Sequence, residues 1–329
     1  MAESPPTINL ANLALHFSDE SKAYELLEQI RWPNGPVCPH CGTVDEATYL
    51  EPRGEGRHTR TGKVSKRRVW KCRACRKQFS VTVGTVFEGS KVPLQKWLLA
   101  VHLMCSGKNG VSAHELHRNL EVTYKTAWFM AHRIRYAMTQ SPLREKFTGT
   151  VEADETYIGP KPRNIHKAKR PAWNERADLK TPVVTLINRE IGEARSRAVE
   201  RVTGITVSKV LREEADNVQA VLMTDQSKVY GKIGPQFREH HTVNHEADEY
   251  VRTTPKGRMV TTNTAEGFFL QLKRSIDGTH HHVSREHLHR YLSEFDYRYS
   301  TRRLSDGQRT MKAIEQAAGK RLYYRDPIT

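Results

Sequence analysis

Apolar positions along the chain follow a helical period at the front and a strand period further on. Within residues 9–30, Leu10, Leu13, Leu15, Phe17, Tyr24, Leu26, Leu27 and Ile30 recur at helical spacing. Ser18 or Asp19 is placed to cap a helix and so split this segment. Trp32-Pro33-Asn34-Gly35-Pro36 forces a stop and a turn. A second helical block covers residues 94–138. It ends in a short helix over 113–120, a turn at Glu121-Val122-Thr123, and a longer helix over 124–138. Ser141-Pro142 breaks the helices. From Thr148 the period changes, and strands are predicted over 149–158, 182–189 and 194–202. A helix over 207–215, an apolar strand over 220–224 and a strand-like run over 240–244 follow, then helices over 263–276 and 284–297. That alternation predicts a mixed α/β layer fold. No internal repeat and no low-complexity tract interrupts it.

With 329 residues, the chain has room for two or three domains. The pattern divides it into an N-terminal helical segment (1–36), a small module (37–83), a helical block (84–141), an α/β domain (148–310) and a tail (311–329). The hydrophobic fraction of 37% is low but sufficient for a core. A mean hydropathy of −0.68 requires a very polar surface. No stretch approaches membrane-spanning length, and the polar start of the chain, with Glu3, does not read as a signal peptide. A cytoplasmic, nucleoid-associated location is the expectation. The net charge of +16 changes the picture more, because it steers polyanions to the surface. With no basic amphipathic anchor and no lipidation motif, nucleic acid is a better partner than a membrane.

Cys38-Pro39-His40-Cys41 and Cys72-Arg73-Ala74-Cys75 are two C-x-x-C pairs. Each pair lets two thiolates on one turn hold a single ion, and two such turns give the closed four-sulfur tetrahedron of structural Zn²⁺. Disulfides would need an oxidising compartment, to which nothing here points. Cys105 lies in an apolar run and reads as a buried small hydrophobe. The long insert between the pairs carries Gly54, Gly56 and Gly62 and reads as an extended hairpin. Its basic residues run from Arg53 to Lys77 and include Arg67, Arg68, Lys71 and Arg73, against one acid, Glu55. Held on a rigid ribbon, they would form a phosphate-contacting patch; otherwise they are a solvated face. The short helix, turn and longer helix bearing Lys125, His132, Arg133 and Arg135 have helix-turn-helix organisation. An ordinary helical hairpin with a solvated basic face is the alternative. Residues 160–180 form a basic loop, either a linker or a nucleic-acid contact.

Three carboxylates stand where chemistry could be done. Asp154 lies in the strand Val151-Glu152-Ala153-Asp154-Glu155-Thr156-Tyr157, and Asp225 ends the apolar run Val221-Leu222-Met223-Thr224. Glu266 lies in the first turn of a helix that opens at Asn263. Strand ends of α/β sheets are where ligand sites lie. Seven residues beyond Glu266 is Lys273, close to two helical turns further on and on the same face. Carboxylates from separate elements can hold Mg²⁺ or Mn²⁺ for phosphodiester cleavage, and Lys273 could position a phosphate. Each acid also has a structural reading: Asn263 and Glu266 as a capping box, Asp154 as one of several surface acids, Asp225 as the start of a turn.

In combination these residues resemble the DDE transposases, in particular the bacterial insertion-sequence branch that begins with a zinc ribbon and is related to Merlin elements. The motifs are Arg31-Trp32-Pro33-Asn34-Gly35 leading into Cys38-Pro39-His40-Cys41, Val151 through Gly159, and Val243-Asn244-His245 with Glu249-Tyr250-Val251. Asn263-Thr264-Ala265-Glu266-Gly267-Phe268-Phe269, Leu272-Lys273-Arg274, and His289 through Phe295 complete them. The likeness runs from about residue 15 to 303. It implies an RNase H-like core, metal-dependent DNA transposition acting on the inverted repeats of the protein's own element, and a homodimer or larger assembly on DNA. It gives Asp154, Asp225 and Glu266 the catalytic, Mg²⁺-holding roles, with Asn263 the alternative third ligand. An amide carbonyl ligates Mg²⁺ more weakly than a carboxylate, and Lys273 stands at the matching distance from Glu266. Lys273 and Arg274 join Lys125, Arg133, Arg135 and the ribbon cations as expected DNA contacts. His240, His241 and His245, with His280, His281 and His282, flank this helix. A second zinc there is disfavoured without thiolates, leaving phosphate contact, or packing for His245. The rival readings are a non-catalytic DNA-binding regulator derived from a transposase and a stand-alone RNase H-like nuclease.

Overall fold

The computed structural model describes residues 12 and 19–323, apart from 53, 55–56, 59–61, 63, 142–143, 161–165 and 170–178. Most of the basic 160–180 loop and the expected helix before Asp19 therefore lie outside the described residues. The chain divides into two units: Met1–Met138 with Leu304–Thr329, and Thr139–Arg303. No helix among the described residues is long and apolar enough to cross a membrane.

The first unit opens with α1 (Glu20–Arg31), capped by Asp19, whose carboxylate accepts from Ser21 N. A three-stranded antiparallel sheet follows, in which β4 (Trp70–Cys72) lies between β1 (Ala47–Tyr49) and β5 (Gln78–Phe79). The insert between the cysteine pairs forms the expected hairpin, β2 (Arg57–His58) against β3 (Val64–Ser65). Strands of two and three residues bury little surface. Aromatic edges supply much of what there is: Trp32 meets Trp70 at 6.0 Å and Phe79 at 5.7 Å between ring centroids. Next come α2 (Leu94–Ser106), α3 (Ala113–Leu120) and α4 (Tyr124–Ala137). The turn between α3 and α4 is the one read from sequence, with Glu121 in the left-handed region at φ 48° and Ser112 and Thr123 as side-chain N-caps. Cys105 is buried on α2, as expected.

The expected C-terminal tail, from residue 311, instead begins inside a helix. α8 (Asp306–Glu315) starts with a capping box at Ser305 and Gln308 and packs on α2, where buried His102 bonds Thr310 at 3.0 Å. Its amphipathic face returns the chain to the first unit, so the division falls after Arg303 rather than at 310.

The second unit is built on a five-stranded sheet in the order β10-β9-β6-β7-β8. The strands are β6 (Phe147–Ile158), β7 (Thr181–Asn188), β8 (Glu193–Ala198), β9 (Ala215–Asp225) and β10 (Glu239–Val243). β7 runs antiparallel to β6 and β8, whereas β9 is parallel to β6 and β10 parallel to β9. All eight residues of β7 are buried, which explains apolar residues on both of its faces (Val183, Val184, Leu186 and Ile187): both faces of the sheet are covered. On one face α5 (Gly204–Glu214) packs through Val207 and Leu211 on Val151, Ala153 and Leu222. On the other, α6 (Asn263–Ser275) and α7 (Arg285–Ser300) cover Ile158, Val183 and Ile187 with Phe268, Leu272, Leu292 and Phe295. This mixed sheet with helices on both faces is the RNase H-like core that was expected. A short hairpin, β11 (Val251–Thr253) with β12 (Met259–Thr261), was not; its three-residue strands are too short to show a period.

Candidate active site and metal centres

Strand pleating decides which residues of β6 share a face. Val151 and Ala153 face α5, so Glu152, Asp154 and Ile158 face α6 and α7. The parallel register of β6 on β9 reaches Glu152↔Met223, and two residues further along both strands stand Asp154 and Asp225. Both are half-buried at the carboxyl end of β9, on the face that α6 covers. Asp225 also begins a turn, since its carboxylate accepts from Ser227 N at 3.0 Å. The turn reading and the site reading therefore describe the same residue.

The third acid arrives on α6. Its N-cap is Thr262, which makes no side-chain capping bond, so Asn263 and Glu266 are not a capping box. Glu266 instead projects half-exposed, with His245 Nε2 3.4 Å from its carboxylate. His245 also bonds Thr262 Oγ1 at 3.1 Å and packs on Tyr250 at 5.3 Å. The helix start is held from outside: Glu152, fully buried on β6, accepts from Thr264 Oγ1 at 2.7 Å and from Ala265 N at 3.0 Å. Glu152 also pairs with Arg189, which donates to Met259 O at 2.9 Å and Thr261 O at 2.8 Å. Asn263 is exposed one turn before Glu266, and Lys273 and Arg274 are exposed near the end of the same helix.

The three acids feel one another. Burial lifts the Asp154 carboxyl to about 7, and repulsion from Glu155, Asp225 and Glu266 adds to it, against a backbone hydrogen bond from Glu155. They nevertheless do not close into a cage. Among the described residues, the one set of three or more ligand atoms within 4.8 Å of each other is the cysteine set. An open array of mutually repelling oxygen donors suits a hard divalent cation that keeps waters and shares substrate oxygens. Asp154, Asp225 and Glu266 thus fit Mg²⁺ or Mn²⁺, as donors and as charges.

The sulfur site is closed. Cys38 and Cys75 sulfurs are 3.6 Å apart, as are those of Cys41 and Cys72. A tetrahedron with Zn–S bonds of ~2.3 Å has edges of about 3.8 Å, so the four fit one zinc ion. Gly42, at φ +77°, makes the first turn, where its amide donates to Cys38 O. The Thr43 hydroxyl, with the Cys75 amide, draws the Cys72 thiol down to about 6, toward the thiolate a metal needs.

The expected DNA contacts divide. Arg67, Lys71 and Arg73 are exposed on the ribbon, with Arg73 bonded to Thr48. Arg68 is not free to contact phosphate: it pairs with Glu25 and Glu28 on α1 at 3.0 Å each and lies 4.3 Å over Tyr49. Lys125 is exposed at the start of α4, but Arg133 and Arg135 are buried, at 4% and 2% exposure. The Arg133 guanidinium donates to Glu88 O at 2.6 Å and lies 5.4 Å from both Trp97 and Phe129. The second half of α4 is a core helix, and the Arg133 guanidinium points inward because aromatic rings and a carbonyl satisfy it.

Sequence reasoning missed Glu152, Glu155, Arg189, Thr264 and Tyr230. One signal was available: a second acid two residues before Asp154, on the same strand face and within an otherwise apolar run.

Sheet order, acid placement and cysteine set together define an RNase H-like protein with a zinc ribbon ahead of its core. Residues 146–300 match the ISXO2-like transposase domain, and residues 18–78 match the transposase zinc-ribbon domain. A curated relative, "Uncharacterized protein in transposable element ISH50" of Halobacterium salinarum, is 31% identical over 314 residues, covering 92% of this chain and 98% of that protein. The chain belongs to the ISXO2-like family of DDE transposases. Its ribbon is the structural zinc module of that family, and transposase domains of this kind make DNA its partner.

Proposed function

We propose that this chain binds the inverted-repeat ends of its own insertion sequence and catalyses Mg²⁺-dependent DNA cleavage and strand transfer. The observation that carries this reading is the convergence of Asp154, Asp225 and Glu266 on one face of the sheet, close enough to raise the Asp154 carboxyl. Asp154 and Asp225 would hold the catalytic ion from adjacent strands, and Glu266 would complete the set from α6. Bound Mg²⁺ or Mn²⁺ would polarise the scissile phosphate and make the attacking oxygen a better nucleophile. Glu266 is preferred to Asn263 as third ligand because its charge reaches Asp154. His245 orients the Glu266 carboxylate, and Lys273, two turns along the same face, presents its ammonium to a phosphate. Lys71, Arg67 and Arg73 grip the duplex backbone from the zinc-held ribbon. Joining two ends requires a homodimer or larger assembly on DNA, working at the nucleoid.

The test is incubation of the protein with Mg²⁺ and a labelled element end, scored for nicking, excision and strand transfer. Wild type cleaves and joins; Asp154→Asn binds the end with unchanged affinity and does neither. Cleavage retained by Asp154→Asn sinks the site assignment. Binding without cleavage by wild type, in Mg²⁺ and in Mn²⁺, makes the protein a regulator. Cutting of branched or hybrid substrates without element ends makes it a general nuclease.

A further inference from the structure

β6 carries three acids within four residues, Glu152, Asp154 and Glu155, and of these the proposed function uses Asp154 alone. The other two are held by partners that explain their presence. A fully buried carboxylate is tolerated only when donors replace its water. Glu152 has three such donors: Arg189, the Thr264 hydroxyl and the Ala265 amide. The Ala265 amide is one of the orphan N–H groups of the first turn of α6, which its own N-cap, Thr262, leaves without a side-chain cap. Glu152 therefore caps α6 from the neighbouring strand, with its charge at the positive end of the helix. The residue after Ala265 is Glu266. Arg189 extends the same clamp to Met259 O and Thr261 O, the carbonyls of β12 that lead into the helix.

Glu155 faces the opposite side of the sheet and plays the matching part for Asp225. Its carboxylate accepts from the Tyr230 hydroxyl at 2.5 Å. Tyr230 is buried in the α5-side core and ends the short turn Lys228–Tyr230 that follows Asp225. The Glu152 carboxylate is occupied by three donors and Glu155 faces the opposite side of the sheet from Asp154, so neither is placed to ligate the ion itself.

We infer that Glu152 and Glu155 are positioning residues: from the strand that bears Asp154, one fixes α6 and hence Glu266, and the other fixes the turn after Asp225. The inference rests on the metal-holding reading of Asp154, Asp225 and Glu266. It predicts that disturbing either clamp loosens the site without touching a ligand, by the ten- to hundredfold that loss of an outer-sphere partner typically costs in metal affinity.

The test uses the full-length, zinc-loaded protein with Mn²⁺ as probe, titrated calorimetrically and by electron paramagnetic resonance. Thr264→Val keeps the side-chain shape and removes the hydroxyl; Tyr230→Phe removes one oxygen. Each is expected to weaken Mn²⁺ binding about tenfold or more, with zinc content unchanged. The Mg²⁺ concentration for half-maximal cleavage rises in parallel, and Thr264→Ser restores both. Glu152→Gln gives the largest loss; should it fail to fold, the two milder variants carry the test. Mn²⁺ affinity equal to wild type in Thr264→Val and Tyr230→Phe, with melting temperature alone lowered, overturns the inference, provided Asp154→Asn has lost the ion. Mn²⁺ bound equally by Asp154→Asn, or not bound by wild type, overturns the metal-site reading and the inference with it.

Discussion

The ribbon brings four thiols together and the sheet brings three carboxylates together, and they do it in opposite ways. In the ribbon the ligands come as two local turns, and their sulfurs already lie at tetrahedral spacing. Strands of two or three residues support them, so the metal is part of what holds the module together. In the sheet the three carboxylates come from β6, β9 and α6, and they stay apart as like charges. There the fold holds the site, through a buried carboxylate and a capped helix. A closed thiolate set is a structural fastener, and an open carboxylate set leaves positions for substrate.

Crossed substitutions should separate the two most completely. Cys72→Ser with Cys75→Ser is expected to lose bound zinc, measured by atomic absorption. Structural zinc contributes ~10 kcal/mol or more in small ribbons and fingers, so the ribbon should unfold and end binding should weaken in a gel-shift assay. Asp225→Asn is expected to abolish cleavage and leave zinc content and end binding alone. Loss of zinc in Asp225→Asn would break the contrast, because the two centres would then not be independent.

The same contrast decides what could be read from the sequence. C-x-x-C is a local pattern, so all four cysteines of the closed sulfur set were legible; Asp154, Asp225 and Glu266 stood out only through the order of the elements that carry them. The sheet strands and α5–α7 were legible within a few residues because period-2 and period-3.6 patterns survive where one face meets a core. The buried arginines were misjudged for a physical reason. Charge on a helix reads as surface, but Arg133 is satisfied by Glu88 O and aromatic rings contributed from elsewhere in the chain. Glu152 was overlooked for a similar reason: its donors, Arg189 and Thr264, are distant in sequence. The amphipathic α8 reads as the start of a tail because its partner, α2, lies some two hundred residues earlier, as the His102–Thr310 bond shows.

Acidity should move the two regions in opposite directions. Zinc competes with protons for thiolates, so ribbon metal is held better as pH rises. In the sheet, Asp296 on α7 is fully buried and its carboxyl is raised to about 7, although Ser196 N and Oγ donate to it at 2.7 and 2.6 Å. Its folded value lies above its unfolded one of 3.8, so between pH 4 and 7 the native state holds a proton that the unfolded chain has released. Stability from this group is therefore full below pH 4 and is lost as pH rises to 7, by about 4 kcal/mol at ~1.4 kcal/mol per pH unit. Urea melts of wild type and Asp296→Asn across this range should show the wild-type advantage shrinking by that amount. A constant difference would place the Asp296 pKa at its ordinary value.

The smallest effects distinguish cations that hold the fold from cations that meet DNA. Arg133→Ala removes a buried side chain and leaves Glu88 O without its donor, so it should cost ~2–4 kcal/mol of stability, read from urea melts. Measured where the variant is still folded, its end-binding affinity should keep the wild-type salt dependence, since no phosphate contact has gone. Lys125→Ala should do the reverse. Its side chain is exposed at the start of α4, the end that would meet base edges and backbone if α4 served as a recognition helix. Losing one phosphate contact lowers the slope of log K against log salt by ~0.9 and weakens binding severalfold, a change in salt dependence that Arg133→Ala does not produce. Should Arg133→Ala flatten the salt slope and Lys125→Ala leave it alone, α4 would have to turn its buried face outward on DNA, and the division between structural and DNA-facing cations would fall.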